Sequence, residues 1–318
     1  MFRLRLIRRK TRPKILPLAA GDAAFAVLLV IAVGVGGPTA WSGLPRVMGV
    51  LFPPGFMAAQ ASIPMPVTEA HLRIDLGGAG VTFATRTGSR LPAITIVIDD
   101  LGEDLAGTDR AMLLPAPVTL SFLPFAEDSR WLAPAAIKRG HQVLVHVPME
   151  SLSGKDAGPM MLTVNLPVTE IRRRLAWDLK QVPGAIGINN HEGSRFTSDA
   201  AALAPVADML AARGLFFFDS RTGPRSQVVP VARRYGVMSA ARDIFLDDSL
   251  VEKDIAVQLA ALEARAKSEG VAIAIGHPHD VTLTLLAKWL AAKRGYELIP
   301  LSEAMQRKSV RETAVALR

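Results

Sequence analysis

The chain has 318 residues, half of them hydrophobic, and no cysteine. This length allows one large domain or two ordinary ones with a core that needs no covalent staples, and the missing thiols exclude disulfides and thiolate metal centres, leaving His, Asp, Glu and water as possible ligands. The net charge of +8 comes from the first fourteen residues, MFRLRLIRRKTRPK, with seven Lys/Arg and no acid; the remainder holds 30 basic against 29 acidic residues. The body of the chain therefore carries no electrostatic footprint for a phosphate backbone, and nucleic acid is excluded as a partner.

After the basic residues 1–22 comes AAFAVLLVIAVGVGGPTAW, Ala23 to Trp41, nineteen residues without a charge. At about 1.5 Å per residue a helix of this length nearly crosses a hydrocarbon core of roughly 30 Å. A basic flank followed by an apolar segment predicts a cytoplasmic N-terminus and an exported remainder. The expected topology is a single-pass anchor in a bacterial inner membrane with the C-terminal domain in the periplasm. Cleavage near GFMAAQA (Gly55 to Ala61) is the alternative, releasing that domain into the periplasm. Residues 42–90 are rich in Pro and Gly and read as a spacer with one or two short strands around HLRIDLGGAGVTFAT.

From Ile94 onward, short apolar runs alternate with segments of helical spacing. The strand candidates are ITIVI (94–98), VTLSFL (118–123), QVLVHV (142–147), AIGIN (185–189), LFFFD (215–219), VMSA (237–240), VAIAI (271–275) and YELIP (296–300). Between them, TEIRRRLAWDLKQV is a helix that Thr169 could cap, and VEKDIAVQLAALEARAKSEG is a helix stopped by Gly270. Strand and helix units with continuous apolar strands predict a parallel sheet covered by helices. Eight such strands in about 210 residues suit an α/β distorted (β/α) barrel over residues 91–308, with an open doubly wound sheet as the fallback and 309–318 as a tail.

The polar residues cluster at the strand ends. VIDD closes the first strand with Asp99 and Asp100; the third contains His146 and leads to Glu150; the fourth runs into NNHEGSR with Asn189, Asn190, His191 and Arg195. The fifth ends at Asp219 and Arg221, and the seventh at GHPHD with His277, His279 and Asp280. In a parallel barrel these ends share one rim, where active sites sit. Two adjacent carboxylates repel unless a cation or proton compensates, and His146 and His191 suit a divalent metal. One carboxylate then serves the metal and the other acts as a base. By contrast, His141 reads as structural at a helix-strand turn, His71 as a spacer residue, and the pair Asp247 and Asp248 as a helix N-cap.

In order along the chain, VIDDLG, GHQVLVHVPME, GINNHEGSRFTSD, FFFDSRT, FLDD and AIGHPHD resemble the divergent polysaccharide deacetylases. The resemblance covers roughly residues 92 to 305 and implies a distorted barrel of about seven parallel strands with metal-dependent deacetylase ancestry. It implies Asp99 as base and Asp100 as metal ligand, with His146 opening a His-x-x-x-His motif whose second position here is Glu150. His191 is expected to complete the ligand set, with Glu150 as the competing ligand. His277 matches the general acid, while Asp219 and Arg221 match positions that orient base and acid; Asn189, Asn190, Arg195 and His279 are assigned to the substrate. The implied cofactor is a divalent metal, Zn before Mn, Co, Fe or Ni, and the implied substrate an acetylated glycan or envelope saccharide. Four Trp and two Tyr in the whole chain leave no evident stacking platform for a long polymer. The alternative of a different class is a catalytically inactive barrel that binds glycan or assists envelope assembly.

Overall fold

The structure is a computed structural model that describes residues 68–76, 79–87, 91–292 and 295–316. The apolar segment 23–41 lies outside the described residues. Among the described residues no helix is long and apolar enough to cross a membrane. The chain divides into two compact units, and the described part of the first is a hairpin. Its strands β1 (Thr68–Leu76) and β2 (Ala79–Thr87) pair antiparallel from Thr68 opposite Thr87 to Leu76 opposite Ala79.

The described part of the second unit starts at Leu91 and alternates strand and helix. Its elements are β3 (Ala93–Leu101), α1 (Leu105–Ala111), β4 (Thr119–Phe122), α2 (Ser129–Lys138), β5 (Gln142–Met149), α3 (Val168–Gln181), β6 (Gly187–Glu192), α4 (Ala200–Arg213) and β7 (Phe216–Asp219). They continue with α5 (Val228–Arg234), β8 (Ser239–Ala241), β9 (Ile244–Phe245), α6 (Glu252–Glu269), β10 (Val271–Gly276), α7 (Asp280–Ala291), β11 (Glu297–Leu298) and α8 (Leu301–Ala316).

The strands form one parallel sheet in the order β8-β7-β6-β5-β4-β3-β10-β9, with β11 joined to the start of β3. The two end strands, β8 and β9, are consecutive in the chain and separated only by Arg242 and Asp243. Three Cα steps of about 3.8 Å cannot span an open eight-strand sheet whose neighbours lie about 4.8 Å apart, so the sheet must curl. The seam is stitched on both sides: Arg242 N donates to Asp219 O of β7 at 3.0 Å and Asp243 N to Ile273 O of β10 at 2.8 Å. The result is a curled parallel α/β sheet that fits a (β/α) barrel. About seven strands were expected and nine are present; β8, β9 and β11 are only two or three residues long, and β9 gives too short a signal to find in sequence.

Period-two alternation sorts each strand onto two faces. Ile94, Ile96 and Ile98 of β3, Leu120 and Phe122 of β4, and Val143, Val145 and Val147 of β5 pack into the core shared with α1 to α7. The opposite face holds Ala93, Val97, Leu144, Phe216, Phe218, Ile273 and Ile275, closed at one end by Leu301, Ala304 and Met305 of α8. Further along, that enclosed face turns polar, with Ser121, His146 and Asn189 all buried. An apolar floor thus leads to a polar mouth at the strand C-terminal ends.

The helix stops and starts are only partly as expected. Gly270 ends α6 in the left-handed conformation at φ 80°, which a glycine adopts without steric cost. Thr169 does not cap α3: the helix begins at Val168, Pro167 holds the cap position, and no side chain accepts there. Proline's fixed φ pre-organises a helix start without a cap hydrogen bond.

One buried charge has no evident task. Asp178 on α3 is fully buried, and neither carboxylate oxygen meets a hydrogen-bond donor. Burial pushes its carboxyl well above the ordinary range, opposed by the charge of Arg174. A folded-state value raised above the unfolded one favours folding at low pH, and that contribution is lost as pH rises past the unfolded value near 4. Asp178→Asn is expected to raise the unfolding free energy at pH 7 by roughly 1–3 kcal/mol and to show little gain near pH 4, read from urea melts at the two pH values.

Candidate functional site

The mouth is built on an irregularity in β3. Between Ile98 opposite Leu120 and Leu101 opposite Phe122, β3 uses one residue more than β4, which is a β-bulge. Within it Asp100 takes φ 58°, and Gly102 follows at φ 111°. Adjacent residues of a regular strand point to opposite faces, but the bulge turns both carboxylates the same way. His146 Nε2 of β5 is 3.8 Å from Asp99 Oδ2 and 3.1 Å from Asp100 Oδ1.

His191, near the end of β6, brings Nδ1 to 2.8 Å from the same Asp100 oxygen. One ligand atom each from Asp100, His146 and His191 falls within 4.8 Å of the other two. Asp100 Oδ1 is buried and no N–H is aligned on it. His146 Nδ1 lies 2.9 Å from Asn189 Oδ1. A carbonyl oxygen only accepts, so Nδ1 carries the proton and, in the neutral ring, the Nε2 lone pair faces the carboxylate. Two electron-rich atoms at that distance need a positive charge between them. The donor set, one carboxylate oxygen and two imidazole nitrogens, therefore fits a divalent cation.

Electrostatics make the same demand. Burial alone raises the Asp100 carboxyl, but contact with His146 and His191 holds it far below the ordinary carboxylate range. Burial likewise opposes charge on His146, yet Asp99 and Asp100 together leave its value raised.

Asn189 organises the centre. Its Nδ2 donates to Asp99 Oδ1 at 2.8 Å and to Ser220 Oγ at 3.1 Å, while its Oδ1 accepts from His146 and, at 2.6 Å, from Ser121 Oγ. The residue is fully buried, so the expected contact of Asn189 with substrate is corrected: all its capacity goes to holding Asp99 and His146. Asn190 is also buried, donating to Glu192 O and accepting from Ser220 N; it ties the ends of β6 and β7 together.

On the other side of the mouth His277 follows β10. Asp247 Oδ1 lies 2.9 Å from its Nδ1, Asp247 Oδ2 accepts from His277 N at 2.7 Å and from Thr282 Oγ1 at 2.9 Å, and His277 Nε2 points to Asp100 Oδ2 at 4.0 Å. Burial resists a charge on this ring, but the hydrogen bond to Asp247 and the nearby Asp100 push it up to about 9. Asp247 is thus no helix cap; α6 starts at Glu252 with Val251 at its cap position. The run IFLDD repeats the order of IVIDD, apolar residues followed by two carboxylates, and this likeness is the signal for Asp247 even though β9 itself is too short to read.

Glu150 is not among the converging ligand atoms. Its Oε2 accepts from Val164 N and its Oε1 pairs with Arg195 Nη1, both at 2.9 Å, while its backbone bonds to Leu162, Arg195 and Phe196. It clasps the loop after β5 to the loop after β6, and Arg195 is spent on that clasp. Asp219 is buried and accepts from Arg221 N at 2.8 Å; its carboxyl is raised by burial. The contacts that orient Asp99 come from Asn189 and Ser220, and the one that orients His277 comes from Asp247, in place of Asp219 and Arg221. Arg221 is exposed with φ 50°. His279 is exposed at the start of α7 with its ring 6.1 Å from that of His277, which leaves it free at the mouth. His141 is structural as expected, with Nδ1 2.8 Å from Val118 O.

A family model described as divergent polysaccharide deacetylase matches residues 96–305. An uncharacterized protein of Escherichia coli (strain K12), YibQ, is 36% identical over 193 residues, 61% of this chain and 60% of its own length. An uncharacterized protein of Haemophilus influenzae is 34% identical over 193 residues, covering 61% of this chain and 69% of that one. The match thus spans about three fifths of the Escherichia coli relative. An uncharacterized protein from Agrobacterium tumefaciens C58 has a solved structure that superposes with a TM-score of 0.65 at 28% identity, covering 68% of this chain and 90% of that chain.

The pairing of His277 with Asp247 is open to direct titration. In metal-free protein the His277 imidazole is expected to stay charged through neutral pH and to titrate at about 9 by NMR, and Asp247→Asn to return it toward its unperturbed value of about 6.5. The stabilisation from this pair is complete below about pH 6.5 and is lost as pH rises through the folded value.

Proposed function

The chain belongs to the divergent polysaccharide deacetylase family, and on that footing we propose that it is a metal-dependent hydrolase that removes acetyl groups from an envelope glycan. The observation that carries this reading is the convergence of Asp100, His146 and His191 on one point, with Asp99 on one side of it and His277 on the other. A cation held by those three would supply Lewis acidity toward water and the acyl carbonyl. Zn suits the mixed nitrogen and oxygen set, which Mn, Co, Fe or Ni could also occupy.

The residues of the chain divide the remaining work. Asp99, held by Asn189 and Ser220, takes a proton from the attacking water as its oxygen bonds to the acetyl carbon. His277, charged and fixed through Nδ1 by Asp247, gives its Nε2 proton to the leaving amine or alcohol as the bond to the acyl carbon breaks. Acetate and the free amine or alcohol result. The basic residues 1–22 and the apolar run 23–41 support an inner-membrane anchor with this domain in the periplasm. Glu150, standing where a second ligand histidine is expected, favours the rival reading of a glycan-binding barrel without turnover; His191 supplies from the next strand the nitrogen that this substitution removes.

Elemental analysis of protein purified without chelator is expected to find close to one divalent ion per chain, lost in His146→Ala and His191→Ala and retained in Glu150→Ala. A metal-free parent that stays so after incubation with Zn or Mn removes the hydrolase mechanism and leaves the binding protein. In a metal-loaded protein that releases acetate from acetylated oligosaccharides, Asp99→Asn is expected to lower turnover by about 100-fold or more with metal content unchanged; full activity in that variant takes the base role from Asp99.

A further inference from the structure

Beside the centre lies a cation that the chemistry above does not use. Arg242 sits on the two-residue link that closes the sheet between β8 and β9. Its guanidinium lies 4.7 Å from the ring centroid of Phe245, and it donates through Nε to Ser220 O and through Nη2 to Arg221 O at 3.1 Å. Ser220 Oγ in turn is 3.5 Å from Asp99 Oδ2, and Phe245 meets His277 edge-on with ring centroids 5.3 Å apart. The guanidinium is therefore one residue away from Asp99 on one side and one residue away from His277 on the other.

Among the described residues the half-buried arginines are Arg110, Arg174, Arg242 and Arg307. Arg110 pairs with Asp280, Arg174 with Glu170, and Arg307 with Glu297 and Glu303; for Arg242 no carboxylate of the described residues lies within ion-pair distance. Asp99, Asp219 and Asp248 feel its charge, but none of them closes on it. Its neighbour Arg221 likewise has no carboxylate partner among the described residues, and burial and the like charge of Arg221 both work against the cation on Arg242. Arg242 is half-buried and its fork reaches the backbone carbonyl of Arg221, so partial desolvation and the like charge of that exposed neighbour weigh against the cation, a cost that an anion would remove. Among the described residues Nη1 of Arg242 donates to no protein group, so part of its fork is free for that anion.

We propose that Arg242, with Arg221 beside it, binds an oxyanion carried by the substrate, a carboxylate or phosphate on or next to the acetylated sugar. The identity of the sugar rests on the deacetylase reading; the anion site rests on the two arginines.

The test is calorimetric binding to the full chain. One pair of probes is a disaccharide of N-acetylglucosamine and glucuronate against the same disaccharide with its carboxylate reduced to an alcohol. The second pair is N-acetylglucosamine 6-phosphate against N-acetylglucosamine, so that the pair with the larger preference tells carboxylate from phosphate. The acidic member of at least one pair is expected to bind tenfold or more tightly than its neutral partner. Arg242→Gln should bring that ratio close to one, Arg242→Lys should keep part of it because a point charge lacks the fork, and Arg221→Gln, at an exposed position, should lower it without touching the fold. A ratio near one in both pairs, no measurable binding of either acidic sugar, or a ratio unchanged in a folded Arg242→Gln overturns the proposal. If Arg242→Gln does not fold, the Arg242→Lys and Arg221→Gln ratios decide. Acetate release is scored separately: an acidic preference without release removes the hydrolase and keeps the anion site, and release without preference does the reverse.

Discussion

One extra residue in β3 governs the chemistry of the mouth. Without the bulge between Ile98 and Leu101, the pleat would send Asp99 and Asp100 to opposite faces, one toward the buried centre and the other into the helix layer. With it, both carboxylates meet His146. Two anions and an imidazole lone pair cannot stay together in a low dielectric without a positive charge. The demand for a positive charge, met by a proton on His146 or by a bound cation, therefore follows from backbone geometry before any reaction is considered.

The rest of the barrel supports that arrangement. The enclosed face runs from an apolar floor of Val97, Leu144, Phe218 and Ile273 to the buried set of Ser121, His146 and Asn189. Strain gathers at the same end. Among the described residues the non-glycine positions with positive φ are Asp100, Met160, Glu192 and Arg221, all at or beyond strand C-terminal ends. Each costs about 1–3 kcal/mol and persists because the surrounding contacts over-determine it. Glu150 supplies one such set of contacts, one carboxylate oxygen accepting from Val164 N of the loop that contains Met160 and the other tying that loop to Arg195 after β6. The seam residue Arg242 closes the sheet and faces the mouth at once, which ties barrel closure to the electrostatics of the site.

The legible part of the site lay in residues that follow apolar strands. Asp99, Asp100, His146, His191 and His277 stand out in sequence because a charge or imidazole at the end of a buried strand has few uneventful uses, and a parallel topology gathers strand ends on one rim. Asn189 was placed correctly but given the wrong partner, since an amide at a rim reads equally well as a substrate contact or as an internal brace. Asp247 was mistaken for a helix cap because capping and orienting use the same carboxylate. Ser121 and Ser220 carried no signal, as serine within or after a strand is common in turns and cores alike.

Sequence by itself determined the strand and helix alternation, the parallel sheet, the family and the set of residues able to hold a metal, because apolar periodicity and residue chemistry are local properties that survive without coordinates. The tertiary structure decided what no local pattern contains. It placed the bulge that turns two neighbouring aspartates to one side, brought His191 to Asp100 and His146 while Glu150 became a clasp, and paired Asp247 with His277. Each of those outcomes depends on which atoms meet between elements separate in sequence, Asp100 with His191 and Asp247 with His277 among them, contacts that register and packing decide, whatever the residue type.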